Sequence, residues 1–433
     1  MIDWKDKRDF WISGAKVADP ESGKIRAGSV CIRRGVIEEI VWQKSVETDL
    51  PVLDADGYLL SPGFIDIHTH LREPGFEEKE TIYTGTSAAV AGGYTAVVCM
   101  ANTEPVVDEP SIVEYIYREA ARVGKCRVYV TAALTRGLEG KEINEYYFLK
   151  RAGAVALSDD GRYVTNSQVM RSALEYARYH ALPVISHCED EFLTKGSQMH
   201  EGFGSTKFGL IGVSAAAEEI AVSRDIRLAR QTSSRLHIAH VSTAGSVGII
   251  KQAKRSGAAV TAEVTPHHLT MDDMLLESYD SNLKVNPPLR EKRDISALCA
   301  ALKDGTLDCI ATDHAPHNEI DKQVEFDQAP PGMIGLETAF ALLNTKLVRT
   351  GELELGELIK LMTVGPAEVL GLPGGRLKQG VPADLVIIDP EERWVVEKSR
   401  IRSRSKNTPL LGAELIGRVQ GVFLEGRWLN VVP

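Results

Sequence analysis

His68 and His70 stand two apart in the run GFIDIHTH. On a β-strand residues i and i+2 point to the same side, so both imidazoles face one centre, as two ligands of a metal ion must. Two histidines satisfied by neighbouring carbonyls would share that spacing. The metal reading gains from further ligand-type side chains, His187, His240 and Asp313, which also end short apolar runs. In His237-x-x-His240 the odd spacing puts the two rings on opposite strand faces, so at most one enters such a centre and the other is expected to pack outside. Asp159 and Asp160 face opposite ways for the same reason. Only one of them can serve, and Asp-Asp-Gly is also an ordinary turn sequence. The adjacent His267 and His268 suit structural or supporting roles. His180, on a helical stretch, and His200, in an expected loop, read as solvated or packed. Arg72, two residues past the HxH pair, could grip a carboxylate with its planar fork, or could simply steady a loop. A centre of histidines and carboxylates does not by itself choose among zinc, cobalt and manganese.

These residues need elements that bring them together. The chain from 62 to 371 alternates apolar runs with helical stretches. The runs are GFIDIHTH, YTAVVCMANT, CRVYVTAALT, GAVALSDD, LPVISHCED, RLHIAHVS, AAVTAEVTPHHL and LDCIATDHAPH. Eight such units predict an α/β fold, a (β/α)8 barrel whose strands are apolar on both faces. Nearly every run ends in polar residues, HTH, ANT, SDDG, SHCED, AHVS, TPHH or TDHAPH. In a barrel these ends converge on one mouth, where active sites of this architecture are built. The polar segments 75–80 (GFEEKE) and 318–335 flank that mouth, and the second is expected to act as a lid.

The remaining sequence forms a different body. All five tryptophans (Trp4, Trp11, Trp42, Trp394, Trp428) lie near the ends, whereas all eleven histidines fall between His68 and His317. The terminal parts read as short strands punctuated by Gly, Asp and Pro, so residues 1–61 and 372–433 are expected to form one small β domain. Hydrophobic residues at 43% and charged residues at 25% fit a compact protein. The net charge of −10, without basic runs interleaved with aromatics, argues against nucleic acid. No apolar stretch suits a signal peptide or a membrane span, so a cytoplasmic location is expected. The six cysteines are scattered without a CxxC pair, which fits small core residues in a reducing compartment. Cys188, next to His187, is expected to face away from any metal.

PGFIDIHTHLREPG, AGGYTAVVCMANT, VALSDDGR, SHCED, HIAHVS, KVNPPLR, ATDHAPH and IGLETAF together resemble the bacterial type I dihydroorotases of the amidohydrolase superfamily. The resemblance runs from the first strands to ADLVIID near the end, and HLREPG and TDHAPH are its most telling parts. It implies a TIM-type barrel with a small β-sandwich made from both termini. It also implies two Zn2+ per chain, held by His68, His70, His187, His240 and Asp313 with Asp160 as the bridge. Many relatives place a carboxylated lysine at the bridge, but VALSDD has none, and the nearest preceding lysine, Lys150, lies in a helical stretch before the strand. Arg72, Asn102, Asn286 and His317 match the positions that complete the substrate site.

The implied activity is reversible cyclisation of N-carbamoyl-L-aspartate to L-dihydroorotate in pyrimidine synthesis, with a zinc-activated hydroxide and Asp313 as proton shuttle. Two other readings compete. One is a hydantoinase- or allantoinase-like cyclic-amide hydrolase, against which the missing lysine and Arg72 both speak. The other is a non-catalytic scaffold subunit of aspartate transcarbamoylase, which should lack ligands that are all present here. The resemblance leaves open a homodimer and a working complex with that transcarbamoylase.

Overall fold

The computed structural model describes residues 9–431; residues 1–8, Trp4 among them, and 432–433 lie outside the described residues. Eight strands form the central sheet: β1 (Phe64–Thr69), β2 (Tyr94–Cys99), β3 (Arg127–Ala132), β4 (Ala156–Leu157), β5 (Val184–Ser186), β6 (Leu236–Ile238), β7 (Val260–Val264) and β8 (Cys309–Ile310). They pair in chain order, each neighbour parallel to the next. A parallel bridge from Thr69 to His314, with the His70 N–H donating to the His314 carbonyl at 2.9 Å, joins first strand to last. The expected (β/α)8 barrel is therefore present.

Both strand faces are apolar because both are covered. Ile65, Ile67, Val98, Ala156, Ile185, Ala239 and Cys309 fill the interior. The alternate residues Val97, Val130, Val184, Ile238, Val264 and Ile310 pack in the cluster that includes the surrounding helices. Helix starts follow their capping residues. Thr81 and Thr84 form a capping box for Ile82–Ala91, Asn166 caps Ser167–Tyr179, and Thr243 caps Ala244–Arg255. His267 and His268 sit on a short helix, Pro266–Thr270, rather than on the strand before it. His200 lies on a two-residue strand, buried, and not in a loop.

The terminal segments form a second sheet. From one edge its strands run 427–430, 414–424, 385–395, 59–62, 9–19, 24–33 and 36–41, with 52–54 also pairing with 9–19. Strand Leu385–Val395 carries both ADLVIIDP and the start of RWVVE, with an irregular register near its middle. The expected sandwich is a single sheet turned back on itself. Phe10 and Phe423 lie on strands three steps apart, about 14 Å in a flat sheet, yet their ring centroids are 5.3 Å apart. A core of Phe10, Ile12, Val30, Ile32, Leu60, Leu385, Ile387 and Phe423 lies within the fold. Strand 59–62 leads straight into β1, so the terminal sheet holds the barrel at its first strand. Among the described residues no helix is long and apolar enough to cross a membrane.

Candidate active site

The ends of five barrel strands and their following turns deliver ligand-type side chains to one point. His68 and His70 come from β1 and the residue after it. Asp160, His187, His240 and Asp313 lie three, one, two and three residues past β4, β5, β6 and β8. Asp160 Oδ1 is 3.2 Å from His68 Nε2, 3.7 Å from His187 Nδ1 and 3.6 Å from His240 Nε2, and Asp160 Oδ2 is 3.5 Å from His70 Nε2. Asp313 Oδ1 lies 3.0 Å from His70 Nε2 and 3.6 Å from His68 Nε2. Asp159 turns the other way, accepting from the Thr135 N–H at 2.9 Å and from the Thr135 hydroxyl.

Three residues at this mouth, Arg72 (φ 62°), His240 (φ 33°) and Asp313 (φ 48°), hold left-handed backbone conformations. These cost non-glycine residues about 1 to 3 kcal/mol each where the geometry is unfavourable, and such residues gather at functional sites. At His240 the effect is decisive. Strand alternation would send it outward, but the reversed φ turns its ring into the centre. His237 was expected outside and is in fact inside too: its Nε2 is 3.1 Å from Glu263 Oε2 and its Nδ1 2.9 Å from Thr261 Oγ1.

The cluster suits a metal. His68, Asp160 and His240 offer ligand atoms mutually within 4.8 Å, and so do His68, His70 and Asp313. His68 Nε2, Asp160 Oδ1 and His240 Nδ1 are buried with no hydrogen-bond partner. Leaving such groups unmatched costs about 1 to 3 kcal/mol each, and a cation at the centre would remove that cost for His68 Nε2 and Asp160 Oδ1, which face it. Burial alone would raise the Asp160 and Asp313 carboxyls, but His68 leads the surrounding histidines in holding both well below the usual carboxylate range.

Two carboxylates orient these rings and were not recognised in the sequence. Glu263, on β7, is 2.6 Å from His68 Nδ1, so the Nδ1–H is donated to it and Nε2 is left facing the centre. Against its burial, His68 and His237 hold its carboxyl at about 2. Glu189 Oε2 is 2.7 Å from His187 Nε2 and accepts from Asn286 Nδ2 at 2.8 Å. An acid inside the apolar strand VTAEV, and an acid two residues beyond His187, were the available signals.

The same centre opens into a cavity of about 210 Å³ lined by His70, Arg72, Asn102, Asp160, His187, His240, Asn286, Asp313 and His317, together with Pro330, Pro331 and Gly332. Asn102 Oδ1 accepts from His70 Nδ1 at 2.9 Å, while its Nδ2 has only a long contact, 3.5 Å, to the Asp160 carbonyl. Arg72 donates its Nε to the Pro316 carbonyl at 3.2 Å, and no described residue bonds its two terminal nitrogens. His317 donates Nε2–H to the Pro331 carbonyl at 2.9 Å. Burial, reinforced by Arg72, pushes its pKa down to about 2, so the ring is neutral. Cys188 points away, toward Ser186 Oγ at 3.4 Å. Lys150 is exposed, its Nζ donating to the His180 carbonyl, and no lysine lines the cavity.

Residues 57–246 match the family model described as dihydro-orotase-like, and residues 216–428 match one described as amidohydrolase family. A curated relative named dihydroorotase, from Pelotomaculum thermopropionicum, is 50% identical over 416 residues, covering 96% of this chain and 97% of its own. The chain belongs to the dihydroorotase family. A second dihydroorotase, from Anaeromyxobacter dehalogenans, is 48% identical over 96% of this chain and 97% of its own. Among solved structures, an L-hydantoinase from Arthrobacter aurescens superposes with a TM-score of 0.88 at 22% identity, covering 98% of this chain and 96% of that one. At that identity the likeness speaks for the fold alone. The chain also matches the amidohydrolase family, whose members depend on metal.

Proposed function

We propose that this chain interconverts N-carbamoyl-L-aspartate and L-dihydroorotate, the cyclisation step of pyrimidine synthesis. The observation that carries the reading is the joining, in one cavity, of a buried histidine and carboxylate cluster with a carboxylate grip at Arg72. Two zinc ions are proposed, and His68, His70, Asp160, His187, His240 and Asp313 would hold them. When bound, such a pair lowers the pKa of water toward about 7 and polarises an amide carbonyl.

The protein's own groups do the rest. Both cyclic and open substrates carry an α-carboxylate. Arg72 offers it two free terminal nitrogens and Asn102 a loosely held Nδ2–H. His317 gives its Nε2–H to Pro331, so to join them it must exchange that carbonyl for the substrate. Asn286 spends its Nδ2–H on Glu189, which leaves its Oδ1 to accept from a ring N–H. In ring opening, Asp313 takes a proton from the attacking water and returns it to the ring nitrogen as the carbon–nitrogen bond breaks. Its Oδ1 faces His70, and no described residue bonds its Oδ2. In closure it removes the ureido proton, and water leaves from the side-chain carboxyl.

Residues 62–371 are the proposed catalytic domain, with 1–61 and 372–433 as the second. A homodimer, and a complex with aspartate transcarbamoylase, belong to the same proposal, as does a cytoplasmic location. The test is ring opening of L-dihydroorotate by purified protein, with bound zinc measured on the same sample. Turnover with close to two ions per chain, lost on chelation, is expected. Turnover of a hydantoin or allantoin without dihydroorotate would overturn the reading.

A further inference from the structure

Between strands 385–395 and 414–424 the terminal sheet sends out a long connection that reaches the barrel mouth. Two carboxylates, Glu337 and Glu80, fasten it there. The Arg402 N–H donates to both Glu337 carboxylate oxygens at 2.9 Å and the Ser403 N–H to Glu337 Oε1 at 3.0 Å. Glu80, itself fully buried, accepts the Arg404 N–H at 3.0 Å and the Ser403 hydroxyl. Ser405 Oγ donates to the Lys79 carbonyl at 2.6 Å.

What this strap delivers is Asn407, which is 4% exposed. Its Oδ1 accepts the His317 N–H at 3.1 Å. Its Nδ2 donates to the Ala315 carbonyl at 3.0 Å and to the Gly332 carbonyl at 3.1 Å, and its own carbonyl accepts the Ile334 N–H at 3.0 Å. Ala315, His317 and Gly332 all line the catalytic cavity. One amide thus joins two separate stretches of its wall, 315–317 and 332–334. Arg72 Nε on the Pro316 carbonyl and the Ala315 N–H on the Met333 carbonyl add two more bonds to the backbone of 315–317.

We propose that Asn407 is a positioning residue for substrate: from outside the barrel, it sets the distance between the Arg72 and His317 side of the cavity and the segment around Gly332. The inference rests on the dihydroorotase reading, which places the α-carboxylate there. It needs an amide in particular, because the site presents one donor and two acceptors to one side chain. Aspartate would keep the acceptor and set a carboxylate against two carbonyls. Leucine would keep the size and lose all three bonds. None of these bonds touches a ligand of the proposed metal centre, so the loss should fall on substrate binding and leave metal content alone.

The test compares wild type with Asn407→Asp, Asn407→Leu and the milder Asn407→Ser in ring opening of L-dihydroorotate, with zinc content and thermal midpoint measured alongside. The expected result is a KM raised at least tenfold in the Asp and Leu variants and less in Ser, with kcat within about threefold and zinc unchanged. Unchanged KM in folded variants overturns the proposal, as does a fall in kcat that tracks lost zinc. Should Asp and Leu fail to fold, the KM of the Ser variant decides alone. Wild-type turnover separates this outcome from failure of the functional reading itself.

Discussion

Arg72 has given one nitrogen to the backbone and kept two for a ligand, an arrangement suited to a bidentate hold on a carboxylate. Replacing it by alanine should cost about 1.5 to 3 kcal/mol in apparent transition-state binding, the worth of charge-assisted hydrogen bonds. The measurement is kcat/KM for L-dihydroorotate, and unchanged kinetics would remove Arg72 from the site. Glu263→Gln tests the support beneath the proposed metal ligands. Gln keeps the shape but presents a weaker, neutral acceptor to His68 Nδ1, so zinc affinity should fall about 10- to 100-fold by competition titration. Spacing alone was enough to pair His68 with His70, because no reversal of φ falls between them. It misled at His237, because alternation holds only while the backbone stays extended and φ reverses at His240. Glu263 and Glu189 went unread because a lone acid near an apolar run looks like an edge residue until the fold shows a histidine opposite it.

At the scale of elements, the eight strands were legible as apolar runs, but their ends were not. β4 and β8 have two paired residues each, while the runs that announce them continue for several more. The excess is the functional part: once the ladder ends, the chain is free to turn its side chains into the mouth. The terminal sheet was legible as strands, but not its turning back on itself, which depends on contacts such as Phe10 with Phe423. The segment 318–335, expected as a lid, lies over the cavity and is tied down by buried amines. Lys284 Nζ donates to the Phe326 and Asp327 carbonyls, both at 2.9 Å, and Lys322 Nζ to the Pro330 carbonyl at 2.7 Å. Gly332 lines the cavity at φ 131°, and a Cβ there would lie 2.8 Å from that of Ala315 and 3.1 Å from His317 Nε2. Gly332→Ala should therefore push the segment outward and raise KM for dihydroorotate several-fold, with circular dichroism unchanged. An unaffected KM would mean the segment yields without cost to the site.

For the molecule as a whole, a ligand that binds only the folded chain stabilises it, by about 4 kcal/mol at a thousandfold excess over Kd. The proposed zinc ions would do so here by relieving the unmatched buried atoms of the centre. Chelation should lower the thermal midpoint and zinc should restore it; a midpoint indifferent to chelator would count against a metal at this point. Barrel and terminal sheet could be told apart in the sequence by where histidine and tryptophan fall. Their dependence on each other could not, because it runs through backbone bonds to Glu80, Glu337 and Asn407 that no residue pattern announces. The bridge between Thr69 and His314 carries a consequence in time. A chain made from its N-terminus exposes the His68 and His70 pair first, while Asp313 and then Asn407 follow much later in synthesis. Until the barrel is zipped along that seam, the histidines lack both the proposed proton carrier and the wall of the cavity. Hydrolytic competence is therefore expected to be withheld from any copy in which first and last strands have not yet met.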